Sequence, residues 1–282
     1  MLVSTFKFKF QEQLKTEYPS EEVQSFFYLL TESILGKSRL DLALDNTKTL
    51  SASEEKDFEE ALSRLLKHEP IQYIIGETEF FGYKFLANKN ILIPRPETEE
   101  LVQWIIDDLK NSDLEEPSIL DIGTGSGCIA ISLAKMFPKA NVTAIDISEE
   151  ALKVAGANAE RNNALVNFVK QDILSAEISG RYDIIVSNPP YVRELEKKEM
   201  QRNVLENEPK IALYVRDDDP LLFYRRITRV AAANFGKRGN LYFEINQYLS
   251  IETEQILAES GFSTELRKDI FGNFRMLKGE KK

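Results

Sequence analysis

Two stretches carry atoms that can do chemistry. The first is S-N-P-P-Y-V, Ser187 to Val192, directly after the apolar run Y-D-I-I-V. A proline after Asn188 pushes that residue into an extended conformation. Pro189 and Pro190 have fixed φ and carry no N–H, so the backbone is stiff and its carbonyls have no local N–H to meet. The Asn188 side chain offers one carbonyl oxygen, and the main chain after it offers another. Two such acceptors can hold both hydrogens of an NH2 group, with Tyr191 lying against a flat substituent. An amide nitrogen is a poor nucleophile because its lone pair is delocalised. Acceptors fixed on its hydrogens favour a more electron-rich, pyramidal nitrogen. They also aim it at an incoming carbon and stabilise the positive charge that alkylation creates. The plainer reading of the same residues is a strand-ending turn.

The second stretch is I-L-D-I-G-T-G-S-G-C-I-A, Ile119 to Ala130, which runs from a strand pattern into a helical one. Gly123, Gly125 and Gly127 make a tight turn that lets a ligand approach the backbone at a helix N-terminus. About 20 residues on, Asp146 ends the next strand pattern, where a carboxylate can accept from both hydroxyls of a ribose. The dinucleotide fingerprint G-x-G-x-x-G needs glycine where this chain has Cys128. Asp121, just before the loop, would repel a pyrophosphate but would suit a sulfonium and its amino group. S-adenosylmethionine is therefore favoured over NAD. Asp172, in V-K-Q-D-I-L, can meet an adenine amino group, with Ile173 against the ring. Cys128 reads as packing, since no partner base is visible.

These residues need a frame, and the sequence from residue 117 onward supplies one. Strand-length apolar runs (S-I-L-D-I, N-V-T-A-I-D, V-N-F-V-K, Y-D-I-I-V-S, L-Y-F-E-I) alternate with helical patterns at Cys128–Met136, Glu149–Asn162, Pro220–Phe235 and Ile251–Ser260. That alternation predicts an α/β fold with a parallel sheet covered on both faces. The tail F-G-N-F-R-M-L-K-G-E can add an edge strand. Upstream, Phe26, Phe27, Leu30, Ile34 and Phe58, Ala61, Leu62, Leu65 recur at helical spacing, and Ser51 to Glu54 reads as a helix start. The run E-F-F-G-Y-K-F-L-A, Glu79 to Ala87, reads as a hairpin or extended linker. Glu97 to Lys110 follows Pro94 and Pro96 as a helix. The F-K-F-K-F run near the start fits a strand edge or a partner contact.

The totals narrow the function classes. The 282 residues carry net charge −10 and a sequence pI near 5.0, without the basic footprint of a nucleic-acid binder. One cysteine and one histidine cannot build a disulfide framework, a histidine triad or a multi-histidine metal site, and a structural zinc site is not expected. No membrane span or secretion signal is expected. His68 reads as a surface or hinge residue, Trp104 as core, and Asp217 to Asp219 as a solvated loop.

The pairing of D-I-G-T-G-S-G with S-N-P-P-Y-V resembles S-adenosylmethionine-dependent amino-group methyltransferases. E-P-I-Q-Y-I-I-G-E-T-E-F-F-G, I-L-I-P-R-P-E-T-E-E-L-V and L-E-N-E-P-K-I-A-L narrow the resemblance to the release-factor glutamine methyltransferases, the PrmC/HemK family. It covers most of the chain from about residue 60. The resemblance implies a Rossmann-like seven-stranded methyltransferase domain with an N-terminal helical bundle and a β-hairpin linker. The expected domains are a helical substrate-recognition domain at 1–77, the hairpin linker at 78–96 and the catalytic domain at 97–282. The implied reaction is methylation of the side-chain nitrogen, N5, of the glutamine in the Gly-Gly-Gln motif of peptide chain release factors. By position, Asp121, Gly123, Thr124, Gly125, Ser126, Gly127 and Asp146 would bind the cofactor, with Asp172 and Ile173 at the adenine. Asn188, Pro189, Pro190 and Tyr191 would hold the glutamine amide and do the chemistry, with Asn188 also facing the cofactor. Ile173 stands where such enzymes often have an aromatic residue, and Asn246 where glycine is common. A cytoplasmic monomer acting on release factors, without direct nucleic-acid or membrane binding, is the expected setting. The alternative is an amino-group methyltransferase acting on adenine or guanine in nucleic acid. A non-catalytic module with a vestigial pocket is a third class.

Overall fold

A computed structural model describes residues 1–44 and 47–281 and divides them into two compact units, Met1–Gly76 with Gln201–Asn207, and Glu77–Met200 with Glu208–Lys282. In the first unit the F-K-F-K-F run is helical. Phe6, Phe10 and Leu14 recur every fourth residue, and α1 (Val3–Leu14) buries all three while leaving Phe8 exposed. Helices α2 (Ser20–Leu35), α3 (Arg39–Leu44), α4 (Ala52–Leu65) and α5 (Ile71–Ile75) follow. At the start of α4 the Ser51 hydroxyl accepts the Glu54 N–H at 3.3 Å, and the Glu54 carboxylate accepts the Ser51 N–H at 2.6 Å. Two donors with no intrahelical acceptor are satisfied together. Phe6, Phe10, Phe27, Phe58 and Leu65 form the shared core. His68 is not a surface residue: it is 9% exposed, at φ 58°. Its carbonyl accepts from Asn207, and its ring nitrogen lies 2.9 Å from the Arg202 guanidinium, both within this unit.

The second unit opens with the hairpin β1 (Glu77–Phe80) and β2 (Tyr83–Leu86), then α6 (Pro96–Lys110). Pro96 at the first helical position and Glu97 and Glu99 in the first turn explain where α6 begins. Next come β3 (Ser118–Ile122), α7 (Cys128–Met136), β4 (Asn141–Asp146), α8 (Glu149–Arg161), β5 (Asn167–Lys170), β6 (Tyr182–Ser187) and β7 (Val192–Arg193). The chain enters the first unit as α9 (Arg202–Asn207). It returns through α10 (Lys210–Leu213), β8 (Tyr214–Val215), α11 (Leu222–Asn234), β9 (Phe235–Glu244), α12 (Ser250–Glu259), β10 (Phe262–Lys268) and β11 (Phe274–Lys281).

The expected seven-stranded sheet is present, in the order β10-β11-β9-β6-β3-β4-β5. The five strands from β9 to β5 are parallel, and β11 runs antiparallel to both its neighbours, β9 and β10. Alternation along β3 divides the core into two layers: Ile119 packs with Trp104 and Ile131, whereas Leu120 and Ile122 pack with Tyr224 and Leu257. The tail strand differs from its expected edge position. β11 lies between β9 and β10. Its Met276 and Leu277 are both buried, so the strand needs cover on both faces, and the polar alternation of β10 suits the edge instead.

Register positions the site. Ile122 of β3 lies opposite Ile145 of β4 and Ser187 of β6, and Ser187 lies opposite Phe243 of β9. The next residue on each strand is therefore level with the others: Asp146, Gly123, Asn188 and Glu244 stand in a row along the carboxyl edge. The Ser187 hydroxyl tightens this row by donating to the Ile122 carbonyl at 2.7 Å.

Candidate active site

A cavity of about 280 Å³ opens on that edge, lined by Gly123, Gly125, Asp146, Asp172, Ile173 and Asn188, with Pro189 and Pro190 beside them. Ligands of open α/β sheets bind at this edge. On one side Pro209, Ile211 and Ala212 close the cavity. They are anchored by the buried Glu208, which accepts from Arg95 at 2.5 Å and from the Ile93 N–H at 3.3 Å.

The glycine loop divides by role. Gly123 and Gly125 have φ of 75° and 54°, and a Cβ on either would meet nothing within 4 Å. Their backbone is bare toward the cavity. Gly127, at φ 81°, does not line it. A Cβ there would sit 2.9 Å from the Ile131 Cδ1 and 3.2 Å from the Ala155 Cβ. This third glycine lets α7 lie close to α8 and stands off the cavity. Thr124 and Ser126 are likewise buried off the cavity. Ser126 takes the Cys128 N–H on its hydroxyl, and its carbonyl accepts from Asn158 of α8, which also caps the Leu86 N–H of β2.

Asp146 accepts the Gly125 N–H at 2.9 Å on one oxygen and the Ser148 N–H at 2.8 Å on the other. A carboxylate has about four lone-pair sites, so acceptor capacity is left for ribose hydroxyls. Asp172 is similar: it accepts the Leu174 N–H and the Ser175 hydroxyl, both at 2.9 Å. Open space at two glycines, spare lone pairs on two carboxylates and the apolar side chain of Ile173 fit an adenosyl group.

Asp121 departs from its expected role. It is fully buried and does not line the cavity, and it accepts the Thr124 hydroxyl at 2.6 Å. Burial pushes its carboxyl up to about 7. Its side chain braces the loop from beneath, because strand alternation turns it into the sheet layer. Cys128 is packing, as expected. Burial raises its thiol to about 12, outweighing the helix N-terminus beside it.

The Asn188 side of the cavity is built from distant parts of the chain. The Asn188 Nδ2 donates to the Thr98 hydroxyl oxygen at 3.3 Å. Thr98, in the first turn of α6, donates to the Glu244 Oε2 at 2.6 Å, and the Tyr191 hydroxyl donates to the Glu244 Oε1 at 3.0 Å. Glu244 is 1% exposed, and burial raises its pKa. The hydroxyls of Thr98 and Tyr191 and the charge of Arg275 oppose that shift. Tyr191 does not line the cavity and is not free to lie against a substrate. Its hydroxyl is committed to Glu244, and its carbonyl accepts from Asn246 at 2.9 Å. Burial and the carboxylate raise its phenol well above the usual range. Asn246 clamps the tetrapeptide from behind: its Nδ2 also donates to Glu196.

Thr98 and Glu244 were missing from the residues expected at the site. Thr98 lies in P-R-P-E-T-E-E and reads only as a helix start. Glu244 carried a usable signal, because a carboxylate inside the apolar strand L-Y-F-E-I is costly to bury without partners. Among the described residues no group of three or more His, Cys, Asp or Glu is placed to hold a metal.

Residues 101–212 match the family model described as Methyltransferase small domain, and residues 9–76 match PrmC N-terminal domain. The chain is 51% identical over 281 residues to a release factor glutamine methyltransferase of Flavobacterium psychrophilum, covering 99% of each chain. It is 47% identical over 270 residues to one of Bacteroides thetaiotaomicron, covering 95% of this chain and 96% of that one. A solved methyltransferase from Pyrococcus furiosus, 21% identical, aligns with TM-score 0.52 over 79% of this chain and 98% of that chain, a likeness of fold alone.

Proposed function

Because this chain belongs to the release factor glutamine methyltransferase family, we infer that it transfers a methyl group from S-adenosylmethionine to the side-chain nitrogen, N5, of a glutamine in a peptide chain release factor. The glutamine is that of the Gly-Gly-Gln motif. The observation that carries this reading is the row of Asp146, Gly123 and Asn188 on one cavity, with the Asn188 nitrogen tied back to Thr98.

The bound cofactor supplies a methyl carbon on a sulfonium, with a neutral thioether as leaving group. Asp146 would hold its ribose, the bare backbone at Gly123 and Gly125 would admit it closely, and Ile173 would cover its adenine beside Asp172. Asn188 turns its side-chain oxygen to one N–H of the glutamine amide, and the rigid Pro189 carbonyl takes the other. Both oxygens draw density toward a nitrogen that becomes transiently cationic. The methylated nitrogen then gives up one proton to solvent water, without a dedicated base. Glu244 is not that base, since it stands behind Thr98 and Tyr191. The helical unit, Met1–Gly76, serves substrate recognition in this reading. The setting is a cytoplasmic monomer that contacts no nucleic acid. Among the described residues no helix is long and apolar enough to cross a membrane.

The test is incubation with methyl-labelled cofactor and an unmethylated bacterial-type release factor, followed by peptide mass spectrometry. Label is expected on the Gly-Gly-Gln glutamine. Label in DNA or ribosomal RNA and none in protein would replace this reading with nucleic-acid methylation.

A further inference from the structure

We propose that Thr98 and Glu244 are positioning residues that decide which end of the Asn188 amide faces the substrate. The inference rests on the amide-methylation reading above and adds to it a reason for the polarity of the site.

An asparagine side chain has nearly the same shape after its oxygen and nitrogen exchange places. The chemistry, however, needs the oxygen outward: a flipped Asn188 would set NH2 against NH2. Neither proline can choose between the two states, because neither carries an N–H. The choice comes from behind. A carboxylate is acceptor-only. Glu244 therefore obliges both hydroxyls that reach it, Thr98 at 2.6 Å and Tyr191 at 3.0 Å, to donate. The Thr98 hydroxyl has one hydrogen, and Glu244 takes it. Toward Asn188, Thr98 can then only accept, and only the Nδ2 end of Asn188 can satisfy it. The polarity of Glu244 thus passes through one hydroxyl to the substrate-facing atom. Thr98 is 3% exposed and Glu244 1%, so water does not scramble the order. The charged and titratable groups facing Glu244 are Arg275, Tyr191, Glu97, Tyr224 and Cys128. Among these the charge of Arg275 works toward the ionised, acceptor-only form.

Thr98→Val keeps the shape and removes the acceptor; Thr98→Ser keeps the acceptor. Single-turnover transfer to a release factor is expected to fall about 10–100-fold in Thr98→Val and to stay within about threefold of the parent in Thr98→Ser. Glu244→Gln, which keeps the shape but can donate, is expected to fall by a similar factor. Cofactor affinity should hold in all three. A second readout does not depend on turnover. In nitrogen-15 spectra of the full-length protein, the Asn188 side-chain NH2, assigned by its loss in Asn188→Asp, is expected to exchange with water faster in Thr98→Val than in the parent or Thr98→Ser. Equal turnover in Thr98→Val and the parent, or equal NH2 exchange in the two, overturns the proposal. A parent protein that labels no release factor overturns the substrate reading instead, and the exchange comparison still decides the role of Thr98.

Discussion

At the cofactor end of the cavity, Asp172 reaches residues two and three positions away, and Asp146 reaches Gly125 across 21. At the acceptor end, Asn188 reaches Thr98 across 90 residues, Thr98 reaches Glu244 across 146, and Tyr191 reaches Glu244 across 53. The first half is made of turns that carry their own partners. The second exists only when β6, β9 and the first turn of α6 meet. Binding and turnover should therefore come apart under mutation, with local changes acting on cofactor affinity and distant ones on the transfer step.

The sharpest break is Asn188→Ala. Losing one preorganised dipole at a developing charge costs about 10²–10³ in rate, so single-turnover transfer should fall by that factor while cofactor affinity holds. If affinity collapses as well, the two halves are one unit. Asp146→Ala should do the reverse. A hydrogen bond to a charged group contributes about 1.5–3 kcal/mol, so the cofactor Kd should rise about 10–100-fold by calorimetry, with little loss of rate at saturation. Within the glycine loop, Gly127→Ala forces a methyl against Ile131 and Ala155. It should cost about 1–3 kcal/mol, read as a drop of several degrees in Tm. Gly125→Ala has free space around its Cβ. It should lower Tm less, by the strain of a left-handed alanine, about 1–2 kcal/mol, and weaken cofactor binding more.

The smallest expected effect is on the pH profile. Burial raises the Glu244 pKa, and the site needs its ionised form. Turnover should therefore fall as pH drops, with a midpoint above the ordinary carboxylate value of about 4.3. Glu244→Gln should abolish that acid limb. A limb that survives the substitution belongs to another group.

The same division governs what was legible beforehand. S-I-L-D-I, N-V-T-A-I-D and Y-D-I-I-V-S became strands with the expected ends, and Cys128–Met136 became a helix, because strand and helix periods act over a few residues. F-K-F-K-F satisfied both periods, and only the shared core of Phe27, Phe58 and Leu65 selected the helix. The strand Phe262–Lys268 was missed, since its alternation is mostly polar. Without it the tail had no neighbour to separate it from the edge. Nothing in Gln201–Asn207 marks it as belonging with the first helices.

The sequence alone determined the chemical inventory: a bare glycine turn, acids at the ends of strands, and an asparagine stiffened by two prolines. Each follows from φ/ψ preferences and side-chain reach over a handful of residues. Only the tertiary structure decided that Asp121, Gly127 and Tyr191 turn away from the cavity, and that Thr98 and Glu244 stand behind Asn188. Those outcomes depend on strand register and helix packing. They bring together groups up to 146 residues apart, beyond the range of any local preference.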